Sequence, residues 1–191
     1  MKQNEALELY RLKGAYLEGH FRLSSGLHSP GYLQSALVLQ HPADAATLGL
    51  GLAVQVKGLK PSVVLSPALG GLIIGHEVAR ALGVRAIFAE RAGGLALTLR
   101  RGFALAPDDR VLVVEDVFTT GKSTRETIDV ARDAGAQVVG AAAIVDRSGG
   151  TIDFGVPSHV LVRLEVPTYE ADNCPLCAQG VPVVKPGSRP T

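Results

Sequence analysis

Glu115 and Asp116 are adjacent carboxylates that follow the apolar run Val111-Leu112-Val113-Val114 and precede the polar stretch Thr119-Thr120-Gly121-Lys122-Ser123. Paired acids of this kind can hold sugar hydroxyls or an oxygen-coordinated cation. The Thr/Gly-rich stretch suits a different ligand. A loop running into a helix N-terminus offers backbone N–H groups at the positive end of the helix dipole, where phosphate binds readily. Thr120-Gly121-Lys122-Ser123 has the form of the end of a Walker A loop, but that loop needs a glycine where this chain has Asp116, so nucleoside triphosphate hydrolysis is rejected. Solvated acids after a strand are common. The agreement of apolar run, paired acids, Thr-Thr-Gly turn and helix start favours a site instead.

A strand, a turn and a helix must position these residues. Val111 to Val114 reads as a strand buried on both faces, the habit of parallel sheets in α/β proteins, and it is expected to end at Glu115 and Asp116. A tight loop then covers Phe118 to Ser123, and Ile128, Ala131 and Ala134 mark a helical face. Ser123 and Glu126 have capping-box spacing. The same order recurs upstream: strand Ser62 to Ser66, glycine loop Pro67-Ala68-Leu69-Gly70-Gly71, helix Leu72 to Leu82. Glycines there let backbone amides approach an anion closely. Strand Val84 to Ala89 completes a right-handed βαβ unit. It leads into Glu90-Arg91-Ala92-Gly93-Gly94, a brief alternation over Leu95 to Leu99, and Arg100-Arg101. These arginines read either as a solvated hairpin or, for Arg91, as a cation facing an anionic leaving group.

Further along, Gln137 to Val145 is a buried strand that ends in Asp146-Arg147-Ser148-Gly149-Gly150. Open α/β sheets bind ligands at such carboxyl ends, although a surface ion pair is the plain alternative for Asp146 and Arg147. His159 to Val166 is a last strand with Arg163 facing solvent, and the Pro/Gly-rich tail from Val181 is expected to fray. The N-terminal part begins with an amphipathic helix over residues 4–13. Phe21 and Leu23 then mark a strand entering a Ser/Gly/Pro turn, and Pro42 to Val56 is a helix.

With 191 residues, the chain suits one domain with a sizeable core. Its net charge of +1, with acids and bases interspersed, gives no electrostatic case for nucleic acid or a membrane surface and points to a small ligand. No apolar stretch is long enough to span a bilayer, and the N-terminus has no hydrophobic secretory core, so a cytoplasmic location is expected. The two cysteines, Cys174 and Cys177, stand as C-P-L-C. They supply two of the four ligands of a structural zinc site, and the nearest histidine, His159, lies well upstream. A site shared between subunits, a redox pair and an incidental turn all stay open; a structural or incidental pair is the favoured reading, and no metal-ligating set is assigned.

The stretch VLVVEDVFTTGKST resembles the phosphoribosyl-diphosphate (PRPP) binding motif of type I phosphoribosyltransferases. Phe21-Arg22-Leu23-Ser24-Ser25-Gly26-Leu27-His28-Ser29-Pro30-Gly31-Tyr32 is similar to the hood signature of their orotate-specific branch, in which many members carry Lys where this chain has His28. The resemblance implies an α/β fold of the type I phosphoribosyltransferase kind, a Rossmann-like central parallel sheet flanked by helices with a small N-terminal hood. It implies one domain over 1–191, with the hood mainly in 1–40 plus the C-terminal segment and the core about 41–166.

The implied reaction joins orotate to the ribose of PRPP, releasing pyrophosphate and giving orotidine 5′-phosphate for pyrimidine biosynthesis. PRPP would be bound by Glu115, Asp116, Val117, Phe118, Thr119, Thr120, Gly121, Lys122 and Ser123, with Ala68, Leu69 and Gly70 at the pyrophosphate. Orotate would meet Thr119 and Arg147; Asp116, Glu115 and Arg91 would be the catalytic residues, Mg²⁺ the cofactor and a homodimer the assembly. In that branch a mobile loop brings Lys and His residues over the substrates; here the loop is short and only Arg91, Arg100 and Arg101 are at hand. A purine phosphoribosyltransferase of the same fold and a non-catalytic nucleotide sensor are the alternatives. The sensor would need a nucleic-acid-binding element, and neither a helix-turn-helix nor a basic stripe is visible.

Overall fold

The structure is a computed structural model and describes residues 1, 3–23, 25–91, 93 and 96–186. The amphipathic start of the chain forms α1 (Gln3–Leu12), which buries Ala6 and Tyr10. Strands β1 (Tyr16–Arg22) and β2 (His28–Leu33) then pair antiparallel as a separate two-stranded hairpin. Only the first of these strands was expected. Pro30 sits within the second, at the register shift of the ribbon, where it has no cross-strand partner and its missing N–H is tolerated. Helices α2 (Ser35–Leu39) and α3 (Pro42–Val56) follow, the latter opened by a proline in its first turn.

The central sheet contains β3 (Val63–Pro67), β4 (Arg85–Arg91), β5 (Leu97–Leu99), β6 (Arg110–Phe118), β7 (Gln137–Asp146) and β8 (Ser158–Arg163). Their order is β5-β4-β3-β6-β7-β8, parallel except for β5 at one edge. Helix α4 (Gly71–Leu82) connects β3 to β4, and α5 (Lys122–Asp133) connects β6 to β7 in the opposite direction along the sheet. With right-handed crossovers the two helices must lie on opposite faces. Accordingly, α1, α3 and α4 share one buried cluster with Val64, Leu112, Val114 and Ile144 of the sheet. Ile128 and Ala131 of α5 pack in another with Val63, Leu65, Val111, Val113 and Phe118. Each fully buried Leu, Ile or Phe contributes about 1.5–3 kcal/mol.

Three expectations are corrected. β6 does not stop at the acids: Glu115, Val117 and Phe118 continue the ladder opposite Ala143, Val145 and Asp146, because β7 is long enough to pair with them. The capping box does not form, since Gly121 is the N-cap of α5 without a side-chain cap and the Ser123 hydroxyl is used elsewhere. The tail does not fray from Val181, because Val184 exchanges backbone hydrogen bonds with β1. The expected turn at Ala92-Gly93-Gly94, apart from Gly93, lies outside the described residues, as do Ser24, Leu95 and the last five residues of the tail.

Candidate active site

The chain leaves β3 toward β4 on one side and leaves β6 toward β7 on the other, so the carboxyl ends of β3 and β6 form a topological switch point. In open α/β sheets the ligand crevice lies there. Both loops that the sequence singled out open into it. Ala68, Leu69 and Gly70 follow β3 with a cis peptide between Ala68 and Leu69, and the Ala68 N–H is pinned to the Ala89 carbonyl at 2.8 Å. Across the crevice, Gly70 stands so close to Asp116 that a Cβ on it would lie 2.9 Å from Oδ1. Only glycine leaves the carboxylate room at this contact.

Glu115 and Asp116 occupy different environments although they are neighbours. Strand alternation turns Glu115 inward, where it is 5% exposed, and leaves Asp116 half-buried. Glu115 accepts from the Ser123 hydroxyl at 2.8 Å and from the Asp116 N–H at 3.2 Å. Burial, and next the charge of Asp116, push its carboxyl well above the usual range; the two hydrogen bonds oppose that shift. Asp116 Oδ1 accepts from the Val117 N–H at 2.9 Å. Two adjacent carboxyls that differ in burial and partners suit two roles, the buried Glu115 as an internal brace and the half-buried Asp116 as a hard-oxygen ligand.

After Phe118, which is buried against Phe154, the chain turns outward through exposed Thr119 and Thr120. Gly121 makes the corner with φ of 74°, a left-handed conformation. A Cβ there would also stand 2.9 Å from Arg125, Ile152 and Phe154. α5 therefore starts without a side-chain cap, and its first-turn N–H groups, including that of Ser123, lack helical partners. The Lys122 N–H makes a long 3.4 Å contact to Thr120 Oγ1. A phosphate fits this loop for the reasons of dipole and free amides that make helix N-termini anion sites.

The arginines divide. Arg101 turns back on Glu90 with two hydrogen bonds of 2.9 and 3.0 Å, and Arg100 lies 3.9 Å from the same carboxylate, so both belong to the β4–β5 hairpin. Arg91 instead reaches across to Glu126 in α5, which Lys122 also approaches at 3.9 Å. The mouth of the Thr119–Ser123 loop thus carries two cations around one acid.

On the other flank, the Arg147 N–H is bonded to the Phe118 carbonyl at 2.9 Å, joining the ends of β7 and β6. Its guanidinium is half-buried and contacts Ser29 Oγ and the Gly31 carbonyl of β2, both at 3.3 Å. Burial lowers its pKa, opposed by Tyr16 and Tyr32, which flank it. Asp146 does not pair with Arg147: it is buried and accepts from the N–H and hydroxyl of Ser148 at 2.8 and 2.6 Å. The surface ion pair considered from sequence is therefore absent. An open depression of about 480 Å³ borders Arg147, Ser148 and Glu165. The sequence signal missed here was the hairpin's second strand, whose Ser29 and Gly31 orient Arg147.

Residues 45–154 match the phosphoribosyl transferase domain family. The chain is 52% identical to the orotate phosphoribosyltransferase of Pelotomaculum thermopropionicum over 189 residues, covering 99% of both chains. It is 51% identical to an orotate phosphoribosyltransferase of Thermus thermophilus, over 94% of this chain and 98% of that one. The crystal structure of orotate phosphoribosyltransferase from Aeropyrum pernix superposes with a TM-score of 0.70 at 29% identity, over 83% of this chain and 93% of that one. With the switch-point crevice, the uncapped loop and the acids between them, this similarity over nearly the full length places the chain in the orotate phosphoribosyltransferase family.

Proposed function

We infer that the chain transfers the 5-phosphoribosyl group of PRPP to orotate, giving orotidine 5′-phosphate and pyrophosphate. The observation that carries the choice of base is Arg147, whose backbone N–H is tied to the end of β6 and whose guanidinium is held against strand β2 of the hairpin. A fixed planar fork of N–H donors beside the ribose acids suits a planar base bearing a carboxylate.

In the proposed mechanism the backbone N–H groups of Thr119 to Ser123 hold the 5′-phosphate at the start of α5. Asp116 takes the ribose hydroxyls, and Glu115, braced by Ser123, fixes the loop beneath them. Val117 and Phe118 carry the strand into the loop, while Ala68, Leu69 and Gly70 face the pyrophosphate across the crevice. Much of the rate then comes from positioning. The bond from C1′ to the pyrophosphate oxygen breaks as the N1 nitrogen of orotate bonds to C1′. The leaving group takes the electron pair, and the N1 proton passes to solvent water. Arg91 lies at the mouth of the same loop and is proposed to face the leaving charge. Thr119 and Arg147 orient the base.

Mg²⁺ fits the donors present: hard carboxylate oxygens on a half-buried Asp116 beside an anion-binding loop. Asp116 would hold it largely through water and substrate oxygens, and when bound it supplies charge neutralisation for the pyrophosphate. A homodimer is part of this reading, supported by apolar Leu69 and Ile73, which stand exposed beside the crevice. A cytoplasmic setting is supported by the two free cysteines, which suit a reducing compartment.

Pyrophosphate release measured with orotate, hypoxanthine, xanthine and adenine tests the assignment. Turnover with orotate alone is expected. Turnover with a purine, or tight nucleotide binding without pyrophosphate release, overturns it.

A further inference from the structure

The C-P-L-C pair does not stand alone. The fold brings His20 of β1 and His28 of β2 to Cys174, the N-cap of the short helix α6 (Pro175–Ala178), and to Cys177 within that helix. One ligand atom from each of the four lies within 4.8 Å of the others. The individual separations are 2.9 Å from His20 Nε2 to His28 Nδ1, 3.5 Å from Cys174 Sγ to His20 Nε2, 3.8 Å from Cys177 Sγ to the same nitrogen, and 3.4 Å from Cys177 Sγ to His28 Nδ1. With Zn–N of about 2.0–2.1 Å and Zn–S of about 2.3 Å, the edges of a regular tetrahedron are about 3.3 Å for N···N and about 3.6 Å for N···S. The observed nitrogen–sulfur edges scatter around that value, and the nitrogen–nitrogen edge is shorter by a few tenths of an ångström.

We propose that His20, His28, Cys174 and Cys177 form a structural zinc site that clamps the C-terminal segment onto the hairpin. Three features of the surroundings point the same way. His20 Nδ1 lies 2.7 Å from the Val181 carbonyl, which can only accept; Nδ1 therefore carries the proton and Nε2 presents its lone pair to the cluster, the outer-shell arrangement usual for a metal-binding histidine. Two thiolates with two imidazoles make a closed set of four, borderline-soft donors with no position left for substrate, which selects Zn²⁺ as a structural ion over Mg²⁺.

The third feature is mechanical. Of residues 167–186, Cys174 is the one that is buried, so the segment has almost no apolar contact to hold it. It nevertheless keeps a defined place through backbone pairing of Tyr169 with His28 and of Val184 with β1. Binding displaces two thiol protons to solvent, and its free energy becomes stability of the clamped segment. The consequence reaches the active site, because His28 adjoins Ser29, which contacts both Arg147 and the Pro167 carbonyl. The ion stiffens the base side of the crevice from outside it. His159, the histidine nearest in sequence, lies elsewhere, on β8.

The experiment is metal analysis of the reduced full chain, free of PRPP and Mg²⁺, after equilibration with Zn²⁺ and removal of the unbound ion. One zinc per chain is expected, lost in Cys174→Ser/Cys177→Ser. Replacement by Co²⁺ should give tetrahedral ligand-field bands with a thiolate charge-transfer band. His20→Gln, which keeps both thiols, should distort that spectrum, and this remains readable if the double variant does not fold. Stripping the zinc should lower Tm and raise the KM for orotate more than that for PRPP. Absence of bound zinc, a Co²⁺ spectrum without the thiolate band, or equal zinc in the double variant overturns the site.

Discussion

The hydroxyl of Ser123 donates to Oε2 of Glu115 at 2.8 Å, tying the first turn of α5 to the strand that delivers the acids. A serine there could have capped the helix; used as a brace, it leaves the helix amides for phosphate and holds the buried carboxyl in one rotamer. Ser123→Ala should cost about 1 kcal/mol of stability, the worth of one hydrogen bond and its unsatisfied partner. It should also raise the KM for PRPP roughly tenfold, about 1.4 kcal/mol of binding. Denaturant unfolding and steady-state kinetics check both, and an unchanged KM for PRPP would separate the brace from phosphate binding.

Glu115 makes stability depend on pH in a definite direction. Below its ordinary value of 4.5 it is protonated in both folded and unfolded chains. Above that value the unfolded chain releases the proton while the folded chain retains it, so stability falls as pH rises, until the folded group also ionises. Glu115→Gln removes this loss, and the Ser123 hydroxyl can rotate to accept from the new amide. The variant should therefore melt higher than the parent near about pH 8, with the gap closing toward about pH 4. Thermal unfolding across that range decides it; a gap that widens on acidification would contradict the assignment. Its turnover should nevertheless fall.

The parallel strands and α3 to α5 were legible because buried apolar runs and helical periodicity are local signals. Pro42–Val56 forms at its expected bounds. What was not legible depended on partners far along the chain. Glu115 and Asp116 look like a strand end until β7 is seen to pair beyond them. Arg147 is recognisable as a candidate, but its orientation comes from Ser29 and Gly31, more than a hundred residues earlier. Likewise Cys174 and Cys177 lack histidines nearby in sequence, and only the hairpin register brings His20 and His28 to one side of them. Arg91, Arg100 and Arg101 are alike in sequence and are separated only by where Glu90 and Glu126 stand.

Gly121→Ala tests the corner before α5. A side chain in the left-handed region costs about 1–2 kcal/mol. The added Cβ would also press on Ile152 and Phe154 at 2.9 Å, and overpacking of this kind costs about 1–3 kcal/mol more. Lower Tm with a raised KM for PRPP is expected. Retained parental values for both would mean that the loop can turn in another way.

Asp116→Asn keeps the shape beside Gly70 and removes the charge. Loss of a charged contact to ribose hydroxyls, worth about 1.5–3 kcal/mol, should lower kcat/KM roughly 10- to 100-fold. Tm should change little because the side chain is only half-buried. Near-parental turnover would remove Asp116 from the ribose site.

Arg147 makes the sharpest distinction between the two substrates. Its guanidinium touches the hairpin and not the phosphate loop, so Arg147→Ala should raise the KM for orotate roughly 10- to 100-fold while shifting that for PRPP much less. Arg147→Lys should recover little of the loss, since a point charge cannot reproduce the planar fork. Part of any effect could come from the hairpin loosening where Ser29 and Gly31 lose their donor. Ser29→Ala isolates that contribution: it removes one contact to Arg147 and keeps the guanidinium, so a small rise in orotate KM beside a large one for Arg147→Ala assigns the difference to the base itself. Equal effects of the two variants would make Arg147 a brace for the hairpin and leave the carboxylate to another group.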